Sequence, residues 1–288
     1  MTLRFEYSAD LDRFAVTHGT AGGEAISLRD SPEYASLEYL RYVPLGGVSL
    51  DEVESTLMRA PREVCCAVTT ACDMACSVCI ADGSTGGSAC VPLATFKRTL
   101  ESVSPDVKRV TITGGEPTLH PDLPELMEQA SRCGRCVVLS TNGHDLRGAL
   151  GALAAAEGAI LAVSLHGPPA MHDRHVGLVG SHADAAATMA AAVDQGRLVH
   201  VLSIATEETL PWLSDLVLSL VDSGIVEHRI NLIKPAGRIG CAGVTYEQVA
   251  RAVGHLQVPH KLSVKRRDQP QLFLGHEGAL EVRSGRQY

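Results

Sequence analysis

The sequence predicts an α/β fold, a partial barrel of six βα units with a small N-terminal extension and a short C-terminal β closure. Three observations predict it. From about Glu63 onward, short β-rich runs alternate with longer amphipathic runs, the pattern of a parallel sheet wrapped by helices. The first sixty or so residues do not follow that rhythm. A chain of 288 residues, 45% hydrophobic and 20% charged, can bury the core of one large domain.

The candidate strands are Val64 to Val68, Val107 to Ile112, Cys136 to Ser140, Ile160 to Leu165, Leu198 to Ala205 and Val226 to Ile233. Helical spacing of apolar residues marks Leu93 to Ser102, Leu123 to Ser131, Leu146 to Ala156, Ala183 to Asp194, Leu210 to Asp222 and Tyr246 to Leu256. The expected organisation is an extension over residues 1–60, a barrel over 61–256 and a closing segment over 257–288. In the extension, Arg4 to Tyr7 and Phe14 to His18 read as strands and Leu50 to Leu57 as a helix; Leu262 to Lys265 and Leu272 to Val282, with Gly275 and Gly278, read as closing strands and a turn. In a barrel of this kind chemistry gathers where strands end and loops begin.

Arg4, Glu6 and Asp10 suit neither a signal peptide nor a basic transit peptide, and the apolar stretch Ala149 to Leu165 reads as a helix followed by a strand, so no membrane span is expected. Nine cysteines without an export signal point to reduced thiols and a cytoplasmic location. A net charge of −8 argues against nucleic-acid binding, because phosphates are held mainly by Lys and Arg. It permits a cationic substrate.

Cys72-Asp-Met-Ala-Cys76-Ser-Val-Cys79 follows the first strand at its carboxyl end. Three thiolates within eight residues can take three corners of an iron-sulfur cube, leaving one iron open to another molecule. Zinc is the alternative, with Cys90 as a fourth ligand. Thr113-Gly-Gly-Glu-Pro117 ends the second strand; adjacent Gly114 and Gly115 let backbone approach a ligand closely, and Glu116 beside Pro117 adds a carboxylate suited to an ammonium group. Ser140-Thr-Asn142-Gly closes the third strand and Ser164-Leu-His166-Gly the fourth. Singly, these read as a tight turn, helix caps and a strand-end histidine.

In this order, over roughly Val64 to Arg238, the motifs resemble the radical S-adenosylmethionine superfamily. The resemblance implies a [4Fe-4S] cluster on Cys72, Cys76 and Cys79, and S-adenosylmethionine contacts from Gly114, Gly115, Glu116, Pro117, Ser140, Asn142, Ser164, His166, Asn231, Ile233 and Arg238. It also implies reductive cleavage to methionine and a 5′-deoxyadenosyl radical, fed by an electron donor such as a flavodoxin or ferredoxin. The protein's task is then to aim that radical at one substrate hydrogen.

Cys241, after the sixth strand, is the candidate that bears on the radical's fate. A thiol can quench a carbon radical, and a hydrogen delivered from the opposite face inverts the centre; the alternative is a buried loop cysteine. The late cysteine and chain size resemble aminoglycoside-epimerising radical enzymes, such as those that convert neomycin C to neomycin B. Substrate-binding candidates are His172, Asp173 and His175, read with Arg174 as a loop, and Glu207 and Glu208, whose competing role is as N-terminal charges of the next helix. Cys65 and Cys66 read as packing residues, and Cys133 and Cys136 as structural, at the end of the barrel away from the chemistry. Competing functions are modification of a ribosomally made peptide, radical dehydrogenation, and a zinc or iron-sulfur redox module without catalysis.

Overall fold

In a computed structural model of the chain, the described residues are 2–8, 13–18, 48–49, 63–79, 86–102, 109–133, 135–232, 244–266, 271–274 and 280–283. Strands β1 (Thr2–Ser8), β2 (Arg13–His18) and β3 (Val48–Ser49) form a small antiparallel sheet in the order β2-β1-β3. The two expected N-terminal strands are therefore present, whereas the expected helix Leu50 to Leu57 lies outside the described residues.

The main sheet begins with β4 (Glu63–Ala67) and helix α1 (Leu93–Ser102). It continues through β5 (Arg109–Thr113), α2 (Leu123–Arg132), β6 (Cys136–Thr141), α3 (Leu146–Ala154) and β7 (Ile160–Ser164). Two helices then follow, α4 (Pro169–Val176) and α5 (Ser181–Asp194), before β8 (Leu198–Ala205), α6 (Leu213–Ser219), β9 (Glu227–Leu232) and α7 (Tyr246–Val253). The chain closes with β10 (Lys261–Arg266), β11 (Gln271–Leu274) and β12 (Leu280–Arg283).

These strands make a nine-stranded sheet in the order β10-β9-β8-β7-β6-β5-β4-β11-β12. β4 to β10 run parallel in sequence order, β11 pairs parallel with β4, and only β12 runs antiparallel. The expected partial barrel is present. Its C-terminal strands differ from a simple closure: β10 extends one edge and β11 with β12 the other, so the sheet stays open.

Each central strand has two unlike faces. The outer positions Val110, Ile112, Val137, Leu139, Leu161, Val163, Val199 and Val201 are buried against Phe96, Leu126, Met127, Leu153, Ala185 and Met189 from the helices. A second cluster packs Ala205, Ile230 and Leu232 against Leu213, Val217, Val249 and Val253. Inner positions are half-buried along β5 (Arg109, Thr111, Thr113), β8 (His200, Leu202, Ile204) and part of β9 (Arg229, Asn231). The alternation separates a dry helix-covered face from an open concave one. Cys66 lies in the outer core and Cys65 is also buried, in keeping with packing roles.

Candidate active site

The cluster loop leaves β4 at its carboxyl end and is clamped from two sides. Backbone amides of Gly115 and Glu116 donate to the carbonyls of Thr69 and Ala71, each at 2.7 Å. A Cβ at Gly114 would strike the Thr69 carbonyl oxygen, and one at Gly115 the Ala71 carbonyl oxygen, so both glycines are required for this approach. From the other side, Ala75 N–H donates to Val176 O (3.0 Å) and Ser77 N–H to His175 O (2.9 Å). The loop carrying Cys72, Cys76 and Cys79 thus runs between the β5 turn and the carboxyl end of α4.

None of the three is in a disulfide, and all are half-buried. Burial pushes the Cys72 thiol up to about 11; the Met74 N–H opposes the rise, while Asp73, Glu116 and Cys79 reinforce it. A bound metal would reverse that balance by holding the thiolate. Among the described residues no three His, Cys, Asp or Glu side chains converge on a single ion. Cys90 instead turns its Sγ to the Thr69 hydroxyl at 3.4 Å. Three cysteines on one loop, none of them in a disulfide, supply the thiolates that three-cornered ligation of an open iron-sulfur cube calls for, although in this structure they do not converge on one point.

Glu116 is the tie between strand ends. Its Oε1 accepts from Thr118 N (3.0 Å), Thr118 Oγ1 (2.8 Å) and Thr141 Oγ1 (2.7 Å), and its Oε2 from Asn142 N (2.7 Å). Burial raises its pKa, although all of these donors favour the carboxylate. Pro117 opens a 3-10 turn capped by Glu116 itself. Asn142 then donates from Nδ2 to Asp73 Oδ1 at 2.6 Å, joining the β6 turn to the cluster loop. Thr118, Thr141 and Asp73 were not singled out from sequence, because lone Thr and Asp residues beside a motif carry no spacing signal.

Ser140 and Ser164 lie half-buried on the inner face, and Asn231 is half-buried on β9. His166 is buried and its Nδ1 accepts from Ile204 N at 3.3 Å, which leaves the proton on Nε2. Ile233, Arg238 and Cys241 lie outside the described residues.

The stretch from Met171 to His175, read from sequence as a loop, is helix α4. Pro169 occupies its first turn and left-handed Gly177 ends it, the pairing of signals expected of a short helix. His172 and His175 are buried rather than solvated. His172 Nδ1 accepts from His166 N (3.1 Å), and His175 Nδ1 stands 3.1 Å from Ser77 Oγ. Their rings pack on His166, with centroids 5.6 and 4.7 Å away. Burial holds all three imidazoles neutral, His172 down to about 4.

Asp173 is engaged elsewhere. It caps α5, accepting from Gly180 N (2.6 Å), Ser181 Oγ (3.0 Å) and His182 N (2.9 Å). Burial pushes its carboxyl up, but these donors outweigh that and hold it below its ordinary value. Glu208 pairs with Arg174 at 2.9 Å on the surface, and Glu207 is exposed beside it. The five candidate substrate contacts therefore divide into two buried histidines, one helix cap and two surface carboxylates.

Curated relatives share the sequence. A probable GTP 3′,8-cyclase of Methanopyrus kandleri is 33% identical over 209 residues, 71% of this chain and 67% of that protein. An AdoMet-dependent heme synthase of Oleidesulfovibrio alaskensis is 27% identical over 197 residues, 66% of this chain but only 50% of that protein. Among solved structures, Streptococcus suis SuiB bound to its precursor peptide SuiA aligns with a TM-score of 0.62 at 15% identity, over 83% of this chain and 61% of that one. The peptide- and AdoMet-bound anSMEcpe aligns with a TM-score of 0.58 at 14% identity, over 78% and 75%. At such identities these two share the fold. The Radical SAM superfamily profile matches residues 66–210, the stretch that carries the cluster loop and the strand-end turns, and the chain belongs to that superfamily.

Proposed function

We propose that this enzyme cleaves S-adenosylmethionine at the Cys72–Cys79 loop and directs the resulting radical at a C–H bond of a substrate held on the concave face of the sheet. The observation that carries the reading is the clamp: one loop with three cysteines, fixed by Gly115, Glu116 and α4 above an open, half-buried strand face. The superfamily's cluster, when bound, supplies the electron that breaks the cosubstrate's carbon–sulfur bond. Cys72, Cys76 and Cys79 would hold it. The turns at Gly114 to Pro117 and at Asn142, with Ser140, Ser164, His166 and Asn231, would position the cosubstrate, as would Ile233 and Arg238.

Glu116 orients both turns at once, so it acts on the cosubstrate partly through the backbone it holds. Neutral His166, His172 and His175 add no positive charge beside a sulfonium and wall off bulk water, which would otherwise compete for reactive groups.

The finer reading is epimerisation of a sugar-containing metabolite, with Cys241 returning a hydrogen atom to the substrate radical; the thiyl left behind would take an electron and a proton from an external donor such as a flavodoxin or ferredoxin. It rests on Cys241, since the named relatives carry other reactions. A polycationic aminoglycoside as substrate rests on the resemblance carried by the late cysteine and chain size, with slight support from the net charge of −8.

The test is anaerobic turnover of reconstituted protein in deuterated water. Wild type is expected to form 5′-deoxyadenosine, and absence of any cleavage with a full cluster would sink the reading. With candidate aminoglycosides, an epimer carrying one deuterium that disappears in Cys241→Ala establishes the donor role; normal epimerisation by the mutant removes it.

A further inference from the structure

The concave face carries charge that the cosubstrate site does not use. In register across adjacent strands, Ser140, Ala162, His200, Glu227 and Lys261 form one row, and Ser164, Leu202 and Arg229 the next row toward the strand ends. The rows are about 6.6 Å apart, two residues of strand rise. His200, Glu227 and Arg229 therefore stand on the same face and in the same register rows as Ser140 and Ser164, which the proposed function gives to the cosubstrate; because the strands are staggered, Ser140 is near the carboxyl end of β6 while Glu227 opens β9 and Arg229 lies midway along it.

Glu227 is the hub. Its side chain is only 7% exposed and lies 3.1 Å from Arg229 Nη2, 3.6 Å from His200 Nδ1 and 3.6 Å from Lys261 Nζ. One carboxylate thus faces two permanent cations and an imidazole. Burial keeps His200 itself neutral. Arg229 Nε is buried with no hydrogen-bond partner, although its guanidinium carries five donors. Beside this group, Val138, Ile160 and Ala162 pack with Leu202 as an apolar floor. This apolar floor on β6 to β8 adjoins the charged group on β8 to β10.

We infer that Arg229 binds an oxyanion of the substrate, a carboxylate or a phosphate ester, with Glu227 as the positioning residue that fixes the guanidinium. A planar fork with an unused Nε suits two oxygens of one anion. The inference deepens the proposed function by naming a substrate class for the same site, an anionic one where resemblance and net charge suggested a polycation.

The experiment titrates the reconstituted full chain, saturated with S-adenosylmethionine so that the cosubstrate's own carboxylate site is filled, with inorganic pyrophosphate and separately with malonate by isothermal titration calorimetry. Binding of at least one anion is expected, weakened at least tenfold in Arg229→Gln and at least threefold in Arg229→Lys. Preference for pyrophosphate assigns a phosphorylated substrate, and preference for malonate a carboxylate. Circular dichroism and cluster absorbance check that each variant is folded; should Arg229→Gln fail to fold, Arg229→Lys decides. No binding of either anion to wild type, or unchanged binding in the folded variants, overturns the inference. Production of 5′-deoxyadenosine by the same wild-type sample keeps the two readings apart: cleavage without anion binding removes this site and leaves the proposed function, and anion binding without cleavage does the reverse.

Discussion

At the scale of single residues, the site depends on backbone proximity as much as on side chains. Gly115 sits where any Cβ would meet the Ala71 carbonyl, immediately before Cys72. Substitution must displace backbone rather than a flexible side chain, so Gly115→Ala is expected to cost about 1–3 kcal/mol, as overpacking does in other tight interiors. Because the displaced segment leads into the cluster loop, iron incorporation on reconstitution should fall severalfold, more than the stability loss alone would produce. Iron analysis and thermal melting of the same preparation check both halves, and full iron content in the variant would refute the clamp. This glycine was legible in the sequence because it belongs to a contiguous motif. Its reason, the contact with Ala71, was not, since that contact joins residues more than forty positions apart. The inner-face pair Glu227 and Arg229 is legible only as a period-two alternation with Ile230 and Leu232, a signal that His228 between them blurs and that lies away from the strand-end motifs.

At the scale of elements, the strands and helices read from hydrophobic rhythm match the observed ones to within a residue or two at most boundaries, because their outer faces are packed by one apolar stripe each. Two departures have physical causes. The span from Leu210 to Asp222 is shorter as a helix, a 3-10 turn Leu210–Trp212 followed by α6, since Pro211 removes a backbone donor there. Helix α4 was concealed by its polar composition: three of its buried residues are Met171, His172 and His175, and histidine carries no burial signal of its own. That burial has a pH consequence. His172 is depressed from 6.5 to about 4, so below pH 6.5 the unfolded chain binds the proton more readily than the folded one. The stabilisation is complete above pH 6.5 and is lost as the pH falls toward 4. At 1.36 kcal/mol per unit this is at most about 3 kcal/mol, with His166 and His175 acting in the same direction. Denaturant unfolding at pH 7 and pH 4.5 should show a smaller loss in His172→Gln than in wild type; equal losses would mean the imidazole is solvated.

At the scale of the whole molecule, the parallel sheet sorts cysteines by where they fall along a strand. Cys72, Cys76 and Cys79 follow the carboxyl end of β4, whereas Cys133 and Cys136 lie before and at the amino end of β6. Both of the latter are exposed, so neither supports the core as Cys66 does. Cys136 opens the six-residue β6 and Asn142 follows its last residue, a rise of about 20 Å. No ligand exchange between the two groups is possible at that separation without unfolding the strand. The two-residue spacing of Cys133 and Cys136 invites an auxiliary metal, and the position decides against its taking part in the chemistry. Cys133→Ser with Cys136→Ser is therefore expected to leave iron per chain and the rate of 5′-deoxyadenosine formation within twofold of wild type, and stability within about 0.5 kcal/mol, the usual range for exposed substitutions. Replacing Cys72, Cys76 and Cys79 together with Ala should abolish the cluster's visible absorbance while the far-ultraviolet circular dichroism stays that of the folded sheet, because these thiols are only half-buried and the loop is held by backbone bonds. Loss of about half the iron in the double serine variant would instead place a second cluster at the amino end of the sheet, and the separation of chemistry from scaffold along the strand axis would have to be abandoned.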